Sequence, residues 1–343
     1  MNASRRKWIW GALALVAVVA IIGVYGLYNY FFTNNVAREG VFYIRPEAPF
    51  TEVMDSLRSR QMLQKPAAFA KMASLKEYPE NIKPGRYKLT RPMSNRALVN
   101  MLLSGRQEPV RVVLHNTATP QQLAGQLGRQ LAPDSLAFLQ MLNDGEFLRK
   151  HQLKPQHAWT IFLPNSYDFY WDTQPQAVFE KMKINYERFW NDDRRERAAE
   201  QNLRPREVLT LASIVERETI KADEMPTVAG LYLNRLEKDM KLQSDPTVIY
   251  GIRQSYPDSV IKRVLYSHLR HASPYNTYIN RGLPPAPIAI PSLRAIESVL
   301  KPQQHDYIFM VANPKKPGYH WFATTLREHN NNRQKYIRWI RRQ

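Results

Sequence analysis

The feature that most constrains this chain is an uncharged apolar run of 20 residues, 8–27, close to its start. A helix rises about 1.5 Å per residue, so the run is long enough to cross a hydrocarbon core of about 30 Å. Aromatic residues follow it as far as position 32. We therefore predict a transmembrane helix at 8–28, with the lipid bilayer as one partner of the chain.

The flanks of the apolar run predict how the chain crosses the membrane. A cleaved signal peptide is the alternative, but its apolar region is usually shorter and ends in a small-residue cleavage site, which 29–35 does not offer. The basic cluster at 5–7 favours a cytoplasmic N-terminus, residues 1–7, with everything after the helix outside. This pattern predicts a single-pass protein of the cell (inner) membrane whose folded part is extracytoplasmic or periplasmic.

Charge and composition exclude several classes of function. The formal net charge of +19 calls for an anionic partner. The basic residues are spread along the chain, without zinc-finger spacing, an RNA-binding signature or a P-loop, so we expect no nucleic acid. Zero cysteines exclude disulfides and thiol catalysis. The 8 histidines are scattered and no HExxH motif occurs, so we expect no metal and no cofactor.

Hydrophobic spacing predicts an α+β chain with two folded parts after the membrane helix. Over about 41–90 the patterns run strand, helix, helix, strand, and a third helix begins after Ser94 as N-cap. We place a domain boundary near Glu108. Beyond it, the predicted elements are a strand at 110–114, a helix from Thr119 and Pro120, long helices at 179–190 and 208–219, and a basic surface helix with an apolar stripe at 333–342.

Several polar residues stand within the apolar, proline-rich sequence of 211–291. Protein cores avoid such groups unless they are paired or functional, so this run predicts a site. The residues are Glu218, Asn234, Arg235, Gln243, Asp245 and Asn276.

The predicted helix at 208–219 carries two glutamates. At about 100° per residue, the apolar side chains of this helix form one buried stripe. Thr210, Ser213 and Arg217 lie opposite that stripe and are expected to face solvent. Glu216 and Glu218 fall at opposite edges of the apolar arc. Residues two apart do not face each other, so the two cannot form an acid–base pair, and periodicity alone does not say which of them enters a cleft.

Five segments of this region, in order, read LASIVERET, LNRL, LQSDPTVIYG, SPYNTY and GLPPAPIAIPS. Together they resemble the catalytic core of the endolytic murein transglycosylases, the MltG (YceG-like) family. The resemblance implies a small LysM-like subdomain at 36–107, which either binds glycan or serves as a spacer. A mixed α/β, YceG-like catalytic domain is implied at 108–343. It also implies that the second glutamate of the E-x-E-T element, Glu218, is the catalytic acid, and that Glu216 supports it or forms a salt bridge.

The side chains around Glu218 suit a sugar cleft, because amides and carboxylates bind hydroxyl and acetamido groups and tyrosine rings offer flat faces. The expected substrate-binding residues are Asn234, Arg235, Gln243, Asp245, Tyr250, Asn276 and Tyr278. Alternatives stay open: Asp245 can cap a helix that begins at Pro246, and the two asparagines can brace loops. His320 and His329, in a C-terminal element of the family, are expected to be hydrogen-bonded structural residues.

The resemblance implies a membrane-anchored lyase that cuts the bond between N-acetylmuramic acid (MurNAc) and N-acetylglucosamine (GlcNAc) in nascent glycan strands. The products carry 1,6-anhydro-MurNAc ends, and cutting terminates strand elongation. Peptidoglycan strands and peptidoglycan synthases are the implied partners. Two alternatives remain: a muramidase, which needs Asp245 as a second carboxylate, and a non-catalytic glycan-binding scaffold for the synthases.

Overall fold

The computed structural model of the protein describes residues 3–342, without the side chains of 3–7 and 9. Most of the predicted N-terminal segment 1–7, including its basic side chains, therefore lies outside the description. The chain divides into two compact units. The first runs to Arg111 and also takes in the short segments Gln130–Ala132 and Asp168–Thr173, and the second holds the remainder. The helices and short antiparallel strand pairs confirm the predicted mixture of α and β structure.

The first helix, α1 (Ala3–Phe32), contains the predicted membrane span. Among the described residues it is the one helix long and apolar enough to cross a membrane, over Trp10–Phe32. Its large apolar side chains from Leu13 to Leu27 are all more than half exposed. None of the described residues packs over this part of the helix.

The remainder of the first unit has the predicted order of elements. They are β1 (Gly40–Ile44), α2 (Phe50–Ser59), α3 (Pro66–Leu75), β2 (Gly85–Leu89) and α4 (Asn95–Ser104). β1 pairs antiparallel with β2, and Phe42, Ile44 and Tyr87 turn inward into one apolar core. Ser94 caps α4 by accepting from the Ala97 amide, as predicted, and a glycine in the left-handed region ends it.

The elements that follow are more numerous than the sequence predicts. They are β3 (Val110–Leu114), α5 (Pro120–Gly128), α6 (Ser135–Asn143), α7 (Gly145–Lys150), α8 (Pro155–Ala158), β4 (Asn165–Phe169), α9 (Pro175–Phe189), α10 (Asp192–Glu200), α11 (Pro205–Glu218), α12 (Met225–Glu237), α13 (Asp245–Ser255), α14 (Leu293–Leu300), β5 (Phe309–Ala312), β6 (His320–Ala323) and α15 (Leu326–Ile340). β3 pairs with β4, and β5 pairs antiparallel with β6. Short turns of 3-10 helix lie at Trp159–Ile161 and His268–Arg270.

α11 lies at the centre of the second unit. Its buried residues Leu211, Ile214 and Val215 share one apolar cluster with α12 and α14. Proline at its first position and the Arg204–Glu207 pair define its start. It ends at Glu218, because the next residue, Thr219, is extended.

Two residues of α11 correct the predicted solvent face. Thr210 and Ser213 are 3% and 0% exposed, so the expectation that they face water was wrong. The Ser213 hydroxyl donates to the Thr210 carbonyl at 2.7 Å and accepts from the Ile288 amide at 3.0 Å. Polar groups can be buried when they are hydrogen-bonded in this way, and α11 is packed on more sides than its apolar stripe indicates. Arg217 is exposed, as predicted.

We predict that Ser213→Ala destabilises the second unit. The Ile288 amide would lose its acceptor inside the core, which costs about 1–3 kcal/mol. Urea unfolding followed by tryptophan fluorescence measures the change, with the exposed neighbour Arg217→Ala as the control, for which about ±0.5 kcal/mol is expected. Equal stabilities of the two variants would contradict this role of Ser213.

Candidate active site

The C-terminal end of α11 opens on a small cavity of about 200 Å³ in the second unit. Segments distant in sequence build its wall: α11, α12, the turn before α13, the loop at 278, and the β5–β6 pair. The lining residues are Glu218, Leu231, Tyr232, Arg235, Leu242, Gln243, Asp245, Tyr278, Met310, Val311, Ala312 and His320. The cavity thus brings together five of the eight residues predicted for the site.

Two hydroxyl groups hold the carboxyl of Glu218. The Tyr232 hydroxyl donates to its Oε1 atom at 2.8 Å, and the Ser244 hydroxyl donates to the same atom. The residue keeps some exposed surface, whereas its carboxyl group lies deep among protein atoms. Burial raises the pKa of Glu218, and the charge of Asp245 adds to the rise, against the two hydroxyls and His320, which lower it. The net effect favours a protonated acid.

Arg235 lies on the same face of α12 as Tyr232 and is 7% exposed. Its Nε donates to the Ile308 carbonyl at 2.6 Å, and its Nη1 donates to the Lys241 and Leu242 carbonyls at 3.1 and 2.8 Å. Burial lowers the pKa of Arg235, although arginine keeps its charge over the physiological range. The guanidinium therefore fixes the turn before α13 and places a positive charge at the cavity wall.

Asp245 is exposed and begins α13, one residue before the predicted start at Pro246. Its Oδ1 accepts from the Tyr278 hydroxyl at 2.7 Å, so its partner is a tyrosine and not Arg235. Burial raises the pKa of Tyr278, with Asp245 as a further cause. Gln243 is also exposed, and its backbone amide donates to the Thr277 carbonyl at 3.1 Å. These bonds tie the turn at 243–245 to the loop at 276–278.

Three predicted substrate-binding residues do not line this cavity. Asn234 donates its side-chain amide to the His305 and Tyr307 carbonyls at 2.6 and 3.1 Å. Asn276 is fully buried and donates to two carbonyls of the 269–271 segment at 3.1 and 2.8 Å. Tyr250 packs on Tyr275 with ring centroids 4.7 Å apart. Both amides brace loops, which is the alternative left open by the sequence.

Glu216 binds a different part of the unit. It accepts from the Asn116 side chain at 2.7 Å and from the Ser292 amide at 3.2 Å, and Ser292 is the N-cap of α14. The two glutamates of α11 therefore do not meet, in agreement with their helical spacing. Glu216 secures α14 and lies outside the cavity lining.

Two hydroxyl donors and the position of one histidine were not predicted from the sequence. Tyr232 stands three residues before Arg235, which is the only sequence cue to its face of α12. Ser244, between Gln243 and Asp245, carries no cue of its own. His320 is hydrogen-bonded, as predicted, through its Nδ1 to Glu224 Oε2 at 2.8 Å, but it also lines the cavity. The ring of His329 stacks on Phe309, and its Nδ1 lacks a hydrogen-bond partner among the described residues.

A larger groove, of about 1220 Å³, lies along other residues of α12, Gly230, Leu233 and Glu237. It does not include Glu218, and the raised pKa of that carboxyl makes the small cavity the candidate site. Within residues 3–342, no group of three or more histidine, aspartate or glutamate side chains is arranged to hold a metal ion.

Comparisons with known proteins show which family and which relatives the chain resembles. A model of the YceG-like family matches residues 42–335. An endolytic murein transglycosylase of Bacillus subtilis is 29% identical over 273 residues, covering 74% of this chain and 72% of the relative. One of Streptococcus pneumoniae is 26% identical over 318 residues, covering 83% of this chain but only 56% of the relative, so the chain spans just over half of that protein. A YceG-like protein of Listeria monocytogenes, solved by crystallography, matches with a TM-score of 0.54 and 25% identity over 86% of this chain and 99% of its own.

We predict that Glu218→Gln gains stability relative to the wild type as the pH rises. Because the folded-state pKa of Glu218 is raised, the native protein holds a proton that the unfolded chain releases above its ordinary value of about 4.5. Wild-type stability from this group is therefore complete below that value and is lost as the pH rises through the folded pKa. The glutamine stays neutral and loses nothing.

Thermal unfolding of both proteins between about pH 4 and pH 8 measures the difference. The variant Tyr232→Phe keeps Glu218 but lacks a hydrogen bond that favours its ionised form. Its stability should therefore fall more steeply with rising pH than that of the wild type. A stability difference that does not change with pH would show that the carboxyl is not held in its protonated form.

Proposed function

This chain belongs to the YceG-like family, and on that premise we propose that it is an endolytic lytic transglycosylase of peptidoglycan. It cleaves the MurNAc–GlcNAc bond within glycan strands and leaves 1,6-anhydro-MurNAc ends, which terminates the growing strand. The observation that carries the proposal is the Glu218 carboxyl, whose pKa burial raises, at the wall of a polar cavity. The two relatives named as endolytic murein transglycosylases support the same activity.

In this mechanism Glu218 starts as a protonated acid. Its Oε1 accepts from Tyr232 and Ser244, so Oε2 carries the proton and delivers it to the glycosidic oxygen. The same two hydroxyls stabilise the carboxylate that remains after transfer. Because donors aimed in advance at a developing charge need no reorganisation, they lower the barrier to proton transfer.

The second half of the reaction needs no water. The N-acetyl carbonyl of the substrate can carry the positive charge that develops at C1. The C6 oxygen then bonds to C1 while its proton passes to the Glu218 carboxylate, which restores the acid. A nucleophile already held within the substrate has a high effective molarity, so it outcompetes water in a closed site. Arg235, Gln243, Asp245 and Tyr278 line the cavity and would bind hydroxyl, acetamido or carboxylate groups of the strand.

A muramidase is the second candidate, because Asp245 lines the same cavity and its charge raises the pKa of Glu218. A hydrolase needs a second carboxylate as nucleophile or base. The bond from Tyr278 to Asp245 Oδ1 favours a positioning role for this carboxylate instead. A non-catalytic scaffold, the third alternative, has no use for a carboxyl whose pKa is raised by burial.

The remaining parts of the proposal concern location and partners. The exposed apolar surface of α1 supports a single membrane anchor, with the N-terminus cytoplasmic and the catalytic part extracytoplasmic or periplasmic. β1 and β2 pair antiparallel, and α2 and α3 lie between them in the chain. This order supports a LysM-like subdomain at 36–107. Peptidoglycan synthases remain proposed partners on the ground of the family's activity on nascent strands.

We predict that the protein stays in the membrane fraction after carbonate washing, with only its C-terminal side open to external protease. A predominantly apolar helical span of 23 residues inserts as an integral segment, whereas surface attachment is released by such washing. Immunoblotting of spheroplasts with tags at both ends measures both properties. Recovery of a shortened, soluble chain would show instead that the helix is a cleaved signal.

We predict that Glu218→Gln lowers cleavage of purified sacculi by about 100-fold or more, because the amide has the same shape but no proton to give. Glu216→Gln, two residues away on the same helix, is the matched control and should keep most of its activity. Mass spectrometry of the wild-type products should find anhydro ends. Reducing ends that carry heavy oxygen from labelled water would identify a hydrolase, and exchanged behaviour of the two variants would refute the choice of acid.

A further inference from the structure

The last helix of the chain carries a basic surface that the proposed chemistry does not use. α15 packs against β5 and β6, and the ring of His329 stacks on that of Phe309 with centroids 5.1 Å apart. Nearer the end of the helix, Tyr336 and Ile337 are half-buried. These contacts hold one face of α15 on the β5–β6 pair. The other faces of its C-terminal part, residues 335–342, are open to solvent.

This segment, 335–342, contains four cations and no acidic side chain. The four are exposed and form no ion pair with any residue of the part that the structure describes: Lys335, Arg338, Arg341 and Arg342. Cations at the C-terminal end of a helix offset its partial negative charge, but this effect falls off within the last turn. α15 ends at Ile340, so Lys335 lies before that turn. Stabilisation of the helix end therefore does not account for all four charges.

Two large apolar side chains of the same segment are also exposed. Trp339 is 42% and Ile340 is 40% exposed, and the Trp339 ring stacks on that of Tyr336 with centroids 6.4 Å apart. Leaving such surface in water is unfavourable, and it contributes nothing to the helix end. Aromatic and aliphatic side chains between Lys and Arg residues are typical of helices that lie in the headgroup region of a bilayer.

We propose that residues 335–342 bind the surface of an anionic lipid bilayer. The four cations contact lipid phosphates, while Trp339 and Ile340 enter the boundary between headgroups and acyl chains. Complementarity selects this partner, because unpaired cations beside exposed apolar side chains match a surface that is anionic outside and apolar beneath. A peptidoglycan strand offers carboxylates and sugar faces but no apolar layer that would take up the aliphatic Ile340.

The contact is a second membrane attachment, in addition to the one proposed for α1. A single interfacial segment binds a bilayer weakly and reversibly. A second attachment in the same chain strengthens the first, because it keeps the segment at a high local concentration near the lipid. The inference goes beyond the proposed lytic transglycosylase function and does not depend on the chemistry of Glu218. Its consequence is that the second unit is held at the membrane surface.

The experiment follows the end of α15 in the full chain. Because the chain has no cysteine, Ile340→Cys provides a single site for an environment-sensitive nitrobenzoxadiazole label. The labelled protein is reconstituted into nanodiscs of neutral phosphatidylcholine, with or without phosphatidylglycerol. The emission should shift to the blue only with the anionic lipid, and the shift should decrease as added salt screens the charges. The same label at Val260→Cys, in an exposed loop, should give equal spectra in both lipids.

Variants in the labelled protein test the two parts of the contact. Arg338→Gln combined with Arg341→Gln should lower the equilibrium constant for membrane contact by about 30-fold, since each cation near an anionic surface contributes about fivefold. Lys262→Gln combined with Arg263→Gln is the matched control, because it removes the same charge from exposed cations elsewhere in the second unit. Trp339→Gln should weaken the contact but preserve its salt dependence, because only apolar surface is lost.

Three results would overturn the proposal. Equal spectra of the Ile340→Cys label in neutral and anionic nanodiscs would show that the segment does not contact lipid. Equal effects of the two double variants would show that net charge, and not this segment, attracts the chain. A response to soluble peptidoglycan fragments but not to anionic lipid would identify the wall polymer as the partner. Should the double variant at 338 and 341 fail to fold by circular dichroism, Trp339→Gln carries the test.

Discussion

The second unit depends on a carboxyl group held where an ionised carboxyl is unfavourable. Glu218 is the last residue of α11, and the C-terminal end of a helix carries partial negative charge, which disfavours a second negative charge there. Burial acts in the same direction. Only the Tyr232 and Ser244 hydroxyls and the charge of His320 oppose it. This balance needs α11, α12 and the turn before α13 in fixed relative positions, and the apolar cluster shared by α11, α12 and α14 provides the rigid support.

Local features of this fold were accessible from the sequence. The order of β1 to β2, the Ser94 cap and the presence of α11 follow from hydrophobic spacing and capping residues, which are local properties of the chain. The start of α11 at Pro205 lies three residues before the predicted one. Ser213 was not accessible, because a hydroxyl on a helix can bond to its own backbone and then be buried like an apolar group. The Ser244 contact was not accessible either, since it joins residues 26 positions apart. Such contacts depend on tertiary packing that periodicity does not contain.

Residue type alone also did not separate ligand binding from loop bracing. Asn234 and Asn276 have the amides that a sugar site uses, yet each donates to two backbone carbonyls. Buried carbonyls in irregular segments need donors, and asparagine supplies two from one short side chain. The cavity is therefore surrounded by polar residues of two kinds: those that face it and those that keep the surrounding loops in place. The sequence shows both kinds in the same motifs.

The different contacts made by the side chains of α12 also limit which insertions and deletions the chain can accept. Tyr232 and Arg235 face the cavity, while Asn234 holds the backbone that leads into β5. Inserting or deleting one residue within Met225–Glu237 would rotate every later side chain of the helix by about 100°. The residues that face the cavity and the residue that binds the backbone would then lose their partners together. The exposed loop at 256–267, where Val260 is 81% exposed, has no such register to keep. Variation in length among sequences of this architecture should therefore concentrate in that loop and be absent from α12.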